Sequence, residues 1–251
     1  MSNHAIFIRG AVIALALSCS CAALRAEGSD DFTHANKEYG AGHFREAAEL
    51  YEGVAKSGQS SAALFYNLGN ARFRAGDLGR AILNYERALA LDPHHPEADA
   101  NLRLAREKAR ALELRKTWWD RAASWTTPSF FCLAAMASFW IAAFSIAASS
   151  LAPRRSRAAT GVFILALIVF TVAIGGVYAF ETGSHGRGLA IVTADKIEAR
   201  LATADNAGTV LVLPPGSEVK ILSTRGGWAY AILPNELRGW IPAQSAESVR
   251  L

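Results

Sequence analysis

Residues 38–54 read EYGAGHFREAAELYEGV and residues 72–88 read RFRAGDLGRAILNYERA. Laid over each other at an offset of 34 positions, Tyr39 meets Phe73, Gly42 meets Gly76, Phe44 meets Leu78, Ala47 meets Ala81 and Tyr51 meets Tyr85. A fixed period of this length marks a repeated helix pair, a unit that stacks on its neighbours because it cannot bury its apolar face alone. The second unit runs from Ala62 to Pro93. Leu68 and Gly69 fall in its first helix, and Gly69 lets the paired helix approach. Gly76-Asp77 makes the turn, with Asp77 placed to cap the second helix. Ala81, Tyr85 and Ala88 recur at helical spacing on the packed face, and Asp92-Pro93 ends the helix. The first unit is degenerate: Ala35 replaces the early glycine, and Gln59 stands in place of the proline. Residues 96–116 read as one further helix that caps the stack, with Leu102, Ala105, Ala109 and Leu112 facing inward.

This pattern resembles the tetratricopeptide (TPR) repeat. The resemblance implies a solenoid with a concave peptide-binding face and no chemistry of its own. Asn36 and Asn70 share the position after the early glycine, where TPR domains often place an asparagine against the backbone or C-terminal carboxylate of a ligand. The expected contact set is Asn36 and Asn70, with Phe73 supplying apolar contact. The competing reading is that the two asparagines serve helix packing or solvent. The basic partners of carboxylate-binding TPR domains are not evident. His94 and His95 lie in a turn between two prolines without further clustered ligands, so no metal site is expected.

The chain is 51% hydrophobic with a mean hydropathy of +0.16 and a pI near 9.1. Its net charge of +4 is unevenly placed: +2 in residues 1–26, −1 in 27–129, +3 in 153–157 and 0 in 158–251. The basic excess lies in a leader and a short loop, so no nucleic-acid partner is expected. Arg9 precedes an apolar run, and small residues follow to Ala26; residues 1–26 read as a signal peptide, cleaved after Ala26 or, as the second choice, Ala23. The competing readings are a lipoprotein through Cys19 or Cys21, in a poor acylation context, and an uncleaved anchor. Without the leader Cys132 is the only cysteine, which leaves neither a disulfide nor a thiolate metal site.

Residues 130–152 and 158–180 are two 23-residue stretches without a charge. At 1.5 Å per residue each reaches about 35 Å, enough to cross a hydrocarbon core. The intervening residues 153–157 are too short for anything but an antiparallel hairpin. Arg154, Arg155 and Arg157 point that loop to the cytoplasm, which places both flanking domains in the periplasm. Arg106, Lys108, Arg110, Arg115, Lys116 and Arg121 before the first span compete with this orientation, and the export signal outweighs them. Trp118, Trp119 and Trp125, within a juxtamembrane segment 117–129, fit an aromatic belt. The Ala- and Ser-rich first span predicts close packing in the hairpin or against an intramembrane partner.

After a linker at 181–188, residues 189–251 change character. Strands are expected at 189–193, 210–213, 219–223, 228–233, 238–241 and 248–251, separated by Pro-Pro-Gly, Gly-Gly and Pro-Asn turns. The stretches LPPGSEVKIL, RGGWAYA and RGWIPA resemble bacterial SH3-like domains. The resemblance implies a small barrel in which Trp228, Tyr230 and Trp240 line a peptide or cell-wall groove; the competing reading buries at least one of the tryptophans in the core.

The predicted fold is therefore multidomain α plus β: an N-terminal TPR α-solenoid over 27–116, a two-helix transmembrane hairpin and a C-terminal SH3-like β-barrel. This order resembles the BatE-type family of the Bat aerotolerance cluster. The resemblance implies work beside membrane proteins with von Willebrand factor A domains and a MoxR-type ATPase, and no established catalysis. No nucleophile–base pair, phosphate loop or paired carboxylates stand out, so no enzyme and no cofactor are expected. The function read from the sequence is a membrane-anchored scaffold in the envelope of a bacterium, on its inner membrane. The alternative is a peptidoglycan-binding sensor acting through the SH3-like domain.

Overall fold

Tyr85 packs where only a glycine leaves room: a Cβ on Gly69 would sit 2.7 Å from its ring. This close approach joins the second helix pair, as the repeat pattern predicts. The computed structural model describes residues 30–115, 128–151, 157–182, 186 and 188–250. The leader, its two cysteines, Trp118, Trp119, Trp125, Arg154, Arg155 and most of the linker lie outside the described residues.

Five helices form the N-terminal part: α1 (30–40), α2 (Phe44–Lys56), α3 (Ala62–Arg74), α4 (Leu78–Leu91) and α5 (Pro96–Ala109). Asp77 caps α4 by accepting the Arg80 N–H at 3.2 Å, and Ser61 caps α3 by accepting from Leu64. Tyr51 and Tyr85 are both 1% exposed, each at the centre of a helix-pair core. The expected capping helix over 96–116 is shorter than its pattern suggests. It stops at Arg110, which takes a left-handed conformation at φ 52°, and residues 111–115 are not helical.

Two helices, α6 (Pro128–Leu151) and α7 (Arg157–Thr182), carry apolar stretches at Ser129–Ser150 and Arg157–Ala179 that are long and apolar enough to cross a membrane. They pack on each other through small residues seven apart: Ser138 and Ser145 on α6, Ala166 and Ala173 on α7, all buried. The serine hydroxyls donate back to carbonyls one turn earlier, Ser138 to Ala134 at 2.7 Å and Ser145 to Ile141 at 2.8 Å. The seam is thus polar in composition but satisfied within its own helix. Large side chains such as Leu133, Trp140, Phe144 and Val172 face outward.

The C-terminal part is one antiparallel sheet of seven strands: β1 (Leu189–Val192), β2 (Ile197–Arg200), β3 (Thr209–Leu213), β4 (Glu218–Arg225), β5 (Trp228–Ile232), β6 (Arg238–Pro242) and β7 (Ala246–Ser248), in the order β3-β2-β6-β5-β4-β1-β7. Strand β2 was not expected. Its inward residues are Ile197 and Ala199, and a strand whose buried side is half alanine carries little β signal. The last strand lies at Ala246–Ser248 rather than at the terminus. The sheet core is built from Ala190, Val192, Leu213, Val219, Ala229, Ala231, Leu233 and Ile241.

The helical and β parts are not separate bodies strung on a membrane anchor. Ala81, Ile82, Leu83 and Tyr85 of α4 share a core with Leu189 and Ile191 of β1 and with Val249. A Cβ on Gly79 would meet the Val192 carbonyl oxygen at 2.9 Å. Past α5 the chain runs beside the sheet, so that Leu112 donates its N–H to Ser217 Oγ at 3.1 Å while its carbonyl accepts from the Glu218 N–H at 2.8 Å. Leu112 therefore packs on the β core instead of the repeat stack. The chain leaves this joint body after residue 115 and returns to it at Gly188. The two apolar helices are an excursion from a single folded unit.

Candidate binding surface on the repeat helices

The first helices of successive units, α1, α3 and α5, stand side by side, tied by asparagines. Asn67 Nδ2 donates to Asn36 Oδ1 at 3.2 Å, and Asn101 Nδ2 donates to Asn70 Oδ1 at 2.9 Å. The same two acceptors take the buried tyrosine hydroxyls: Tyr51 donates to Asn36 Oδ1 at 2.6 Å and Tyr85 to Asn70 Oδ1 at 2.8 Å. Burial pushes the Tyr51 phenol up to about 12 and raises that of Tyr85 further, so both stay protonated donors. The motif Asn-Tyr-Asn thus recurs with the period of the repeat. It satisfies the one polar atom that each core tyrosine carries.

This arrangement sorts the atoms of Asn36 and Asn70. Each carbonyl oxygen already accepts twice, whereas among the described residues the Nδ2 groups have no acceptor. An amide with its acceptor filled can only donate outward. What the wall offers a ligand at these positions is a line of N–H donors suited to carbonyl or carboxylate oxygens.

Phe73 is half-buried on the same wall, packed against the core below it, and Lys108 Nζ lies 4.9 Å from its ring centre. Arg74 stacks over Phe44 at 4.5 Å. Leu104 and Lys108 on α5 are exposed. Asn36 on α1 is exposed, and Asn70 and Phe73 stand partly buried about one turn apart on α3. Sequence reasoning missed Asn67 and Asn101, whose spacing of 34 was legible but whose pairing with the preceding unit needs the helices side by side.

The second sequence-derived cluster lies on the sheet. Trp228, Tyr230 and Ile232 alternate with the buried Ala229 and Ala231 along β5, and Trp240 alternates with the buried Ile241 on β6. Tyr230 pairs with Trp240 in register, their rings 4.9 Å apart. All three aromatics are half-exposed on the outer face of the sheet, and alanines and aliphatics take the core positions.

Residues 32–96 match the family model for tetratricopeptide repeats, which covers the two helix pairs, with Asn36, Asn67, Asn70 and Phe73, and ends where α5 begins. No curated protein sequence matches the chain. The match accounts for α1 through α4, and the repeats it identifies are a non-catalytic protein-interaction motif.

Proposed function

We propose that this chain is a membrane-anchored adaptor of the bacterial envelope that holds an extended segment of a protein partner on its repeat helices. The observation that carries the reading is that Asn36 and Asn70, one repeat apart, each give their Oδ1 to two donors inside the helical part, which leaves Nδ2 to serve a ligand, with Phe73 three residues after Asn70. An extended backbone presents carbonyls in a regular row, and rigidly held donors one helix apart suit it. The anchor is the α6–α7 hairpin. Packing of the helical part on the β part supports placing both flanks on one side of the membrane, since a chain that leaves and re-enters one body crosses an even number of times. The arginines at 154, 155 and 157 support the periplasmic side by the positive-inside rule. The order of modules supports a place in a Bat-type aerotolerance complex, with von Willebrand factor A domain membrane proteins as the partner class.

The wall can be tested without disturbing the core. Replacing Asn36 and Asn70 by alanine would also strip the tyrosine hydroxyls of their acceptor. The double variant Asn36→Asp, Asn70→Asp keeps an oxygen for each tyrosine, removes the Nδ2 donors and sets a carboxylate against the ligand oxygens, so both changes act against binding. Two hydrogen bonds at about 0.5–1.5 kcal/mol each predict a loss of partner affinity of about ten-fold or more. The measurement is capture of a von Willebrand factor A domain partner from gently solubilised membranes, beside the far-UV CD of the variant. Undiminished capture with intact helicity removes the wall from recognition. Reporter fusions after Lys116 and Leu251 test the orientation, and cytoplasmic activity at either site refutes it.

A further inference from the structure

The aromatic face of the sheet has two ends with different neighbours. Leu189, Lys220, Ile232 and Arg238 stand in one row across β1, β4, β5 and β6. On one side of this row the outer face is covered by α4, with Leu189, Ile191 and Ile232 in the shared core. On the other side β4, β5 and β6 run on past the start of β1, to Arg225, back from Trp228, and to Pro242. This overhang carries Trp228, Tyr230 and Trp240 on the same outer face as Ile232, because side chains two apart share a face. No helix covers it among the described residues. Arg225 is exposed and pairs in register with Trp228 at the tip of the overhang, while the exposed Arg238 stands in the row itself, two residues before Trp240.

The overhang lies on the side from which the chain arrives out of α7. Six residues separate Thr182 from Leu189. The Gly188 carbonyl accepts the Ile221 N–H at 2.8 Å, fixing the entry beside the overhanging part of β4. Arg250 Nη1 lies 3.3 Å from Glu181 Oε1 in the last turn of α7, which ties that edge of the sheet to the end of the helix. The other connection leaves from the opposite end: Arg115 pairs with Glu236 in the β5–β6 turn at 3.3 Å, and twelve residues follow before α6. At about 3.3–3.6 Å per residue the six-residue link reaches roughly 20 Å and the twelve-residue link roughly 40 Å. The shorter link sits at the overhang.

We infer that the overhang of Trp228, Tyr230 and Trp240 rests on the headgroup surface of the membrane that α6 and α7 cross, with Arg225 at its tip facing lipid phosphates. This rests on the membrane-anchor reading above. The chemistry suits that occupant. Tryptophan and tyrosine settle where an apolar ring and a polar N–H or O–H meet different media, and arginine binds phosphate oxygens in a fork. The contact makes the sheet a foot that holds the repeat wall at a set height and tilt over the bilayer.

The test uses the full chain in nanodiscs of phosphatidylethanolamine and phosphatidylglycerol, with its cysteines replaced by serine. Nitroxide labels go on Arg225→Cys, Trp240→Cys, Glu236→Cys and Met136→Cys, one at a time. Collision with oxygen and with a water-soluble nickel chelate reports depth. The expected result places the label at 136 in hydrocarbon, those at 225 and 240 at headgroup depth, and that at 236 in water. Nickel accessibility at 225 should be several-fold lower than at 236. The further changes Trp228→Ser and Trp240→Ser should return the label at 225 to the aqueous value. A label at 136 in hydrocarbon with 225 and 240 fully aqueous overturns the foot and leaves the anchor standing. An aqueous label at 136 overturns both. Aqueous labels at 225 and 240 that become immobile only with peptidoglycan fragments assign the face to the cell wall and also overturn it.

Discussion

Arg106 on α5 donates to Glu218 on β4, 112 positions further along the chain and beyond both apolar helices, and the same guanidinium donates to Glu86 on α4. Glu113 stands 3.5 Å away as a third carboxylate, and the Leu114 N–H donates to the other Glu218 oxygen at 2.9 Å. Both glutamates and the arginine are nearly out of solvent. One cation thus holds two buried carboxylates where the helical part meets the sheet.

Removing that cation should be costly. Arg106→Ala takes the shared guanidinium away from the buried Glu86 and Glu218, a change worth about 3–5 kcal/mol. Denaturant unfolding of the full chain in nanodiscs, followed by far-UV CD, reads the loss. A cost under about 1 kcal/mol would mean that water reaches the seam and solvates the pair.

The seam should also respond to pH. Burial, and after it the Glu86 charge, hold the Glu218 carboxyl above its ordinary value of 4.5, against the pull of Arg106 and the Leu114 N–H. A raised acid binds its proton more tightly folded than unfolded. Its contribution is full below pH 4.5 and is lost as pH climbs through the raised value. The stability of wild type minus that of Glu218→Gln should therefore fall as pH rises from about 4.5 toward neutrality, while carboxylates remote from Arg106 cancel in the difference. A flat difference over that range contradicts the assignment.

The tyrosine at the centre of the second unit separates packing from hydrogen bonding. Tyr85→Phe removes only the bond to Asn70 and should cost about 0.5–1.5 kcal/mol. Tyr85→Ala empties a site that is 1% exposed and should cost about 3–5 kcal/mol. Equal losses in the two variants would place the whole effect in the hydroxyl.

Gly216 probes the contact from the sheet side. Its φ is +80°, and a Cβ there would collide with Ile82 Cδ1 on α4. Gly216→Ala should destabilise by about 1 kcal/mol for the backbone alone, and by more through the clash. Adding Ile82→Val removes the colliding methyl and should recover only the clash. Strict additivity of the two changes would show that the surfaces do not touch in solution.

Much of this protein is written in short-range pattern. The 34-residue period places four of the five N-terminal helices, their turns and both core tyrosines, because each depends on residues within one or two helical turns. The two apolar helices follow from composition and length alone. Five of the seven strands sit within a residue or two of their alternating stretches. Periodicity put Asn36 and Asn70 at one repeat position, whereas their use as ligand contacts beside Phe73 is what the TPR resemblance implies.

The tertiary structure decided what those patterns leave open. Nothing in residues 96–116 announces that the helix stops at Ala109 and that Leu112 crosses to the sheet; the stop becomes favourable because Ser217 and Glu218 offer hydrogen bonds to the freed backbone. The use of both asparagine carbonyls by tyrosine hydroxyls depends on helices 15 positions apart packing face to face. The half-exposure of Trp228, Tyr230 and Trp240 depends on how far along the outer face of the sheet α4 reaches. Local sequence fixes the period of an element and which of its faces is apolar. What that face meets is settled only when parts separated by two long apolar helices compete for the same core.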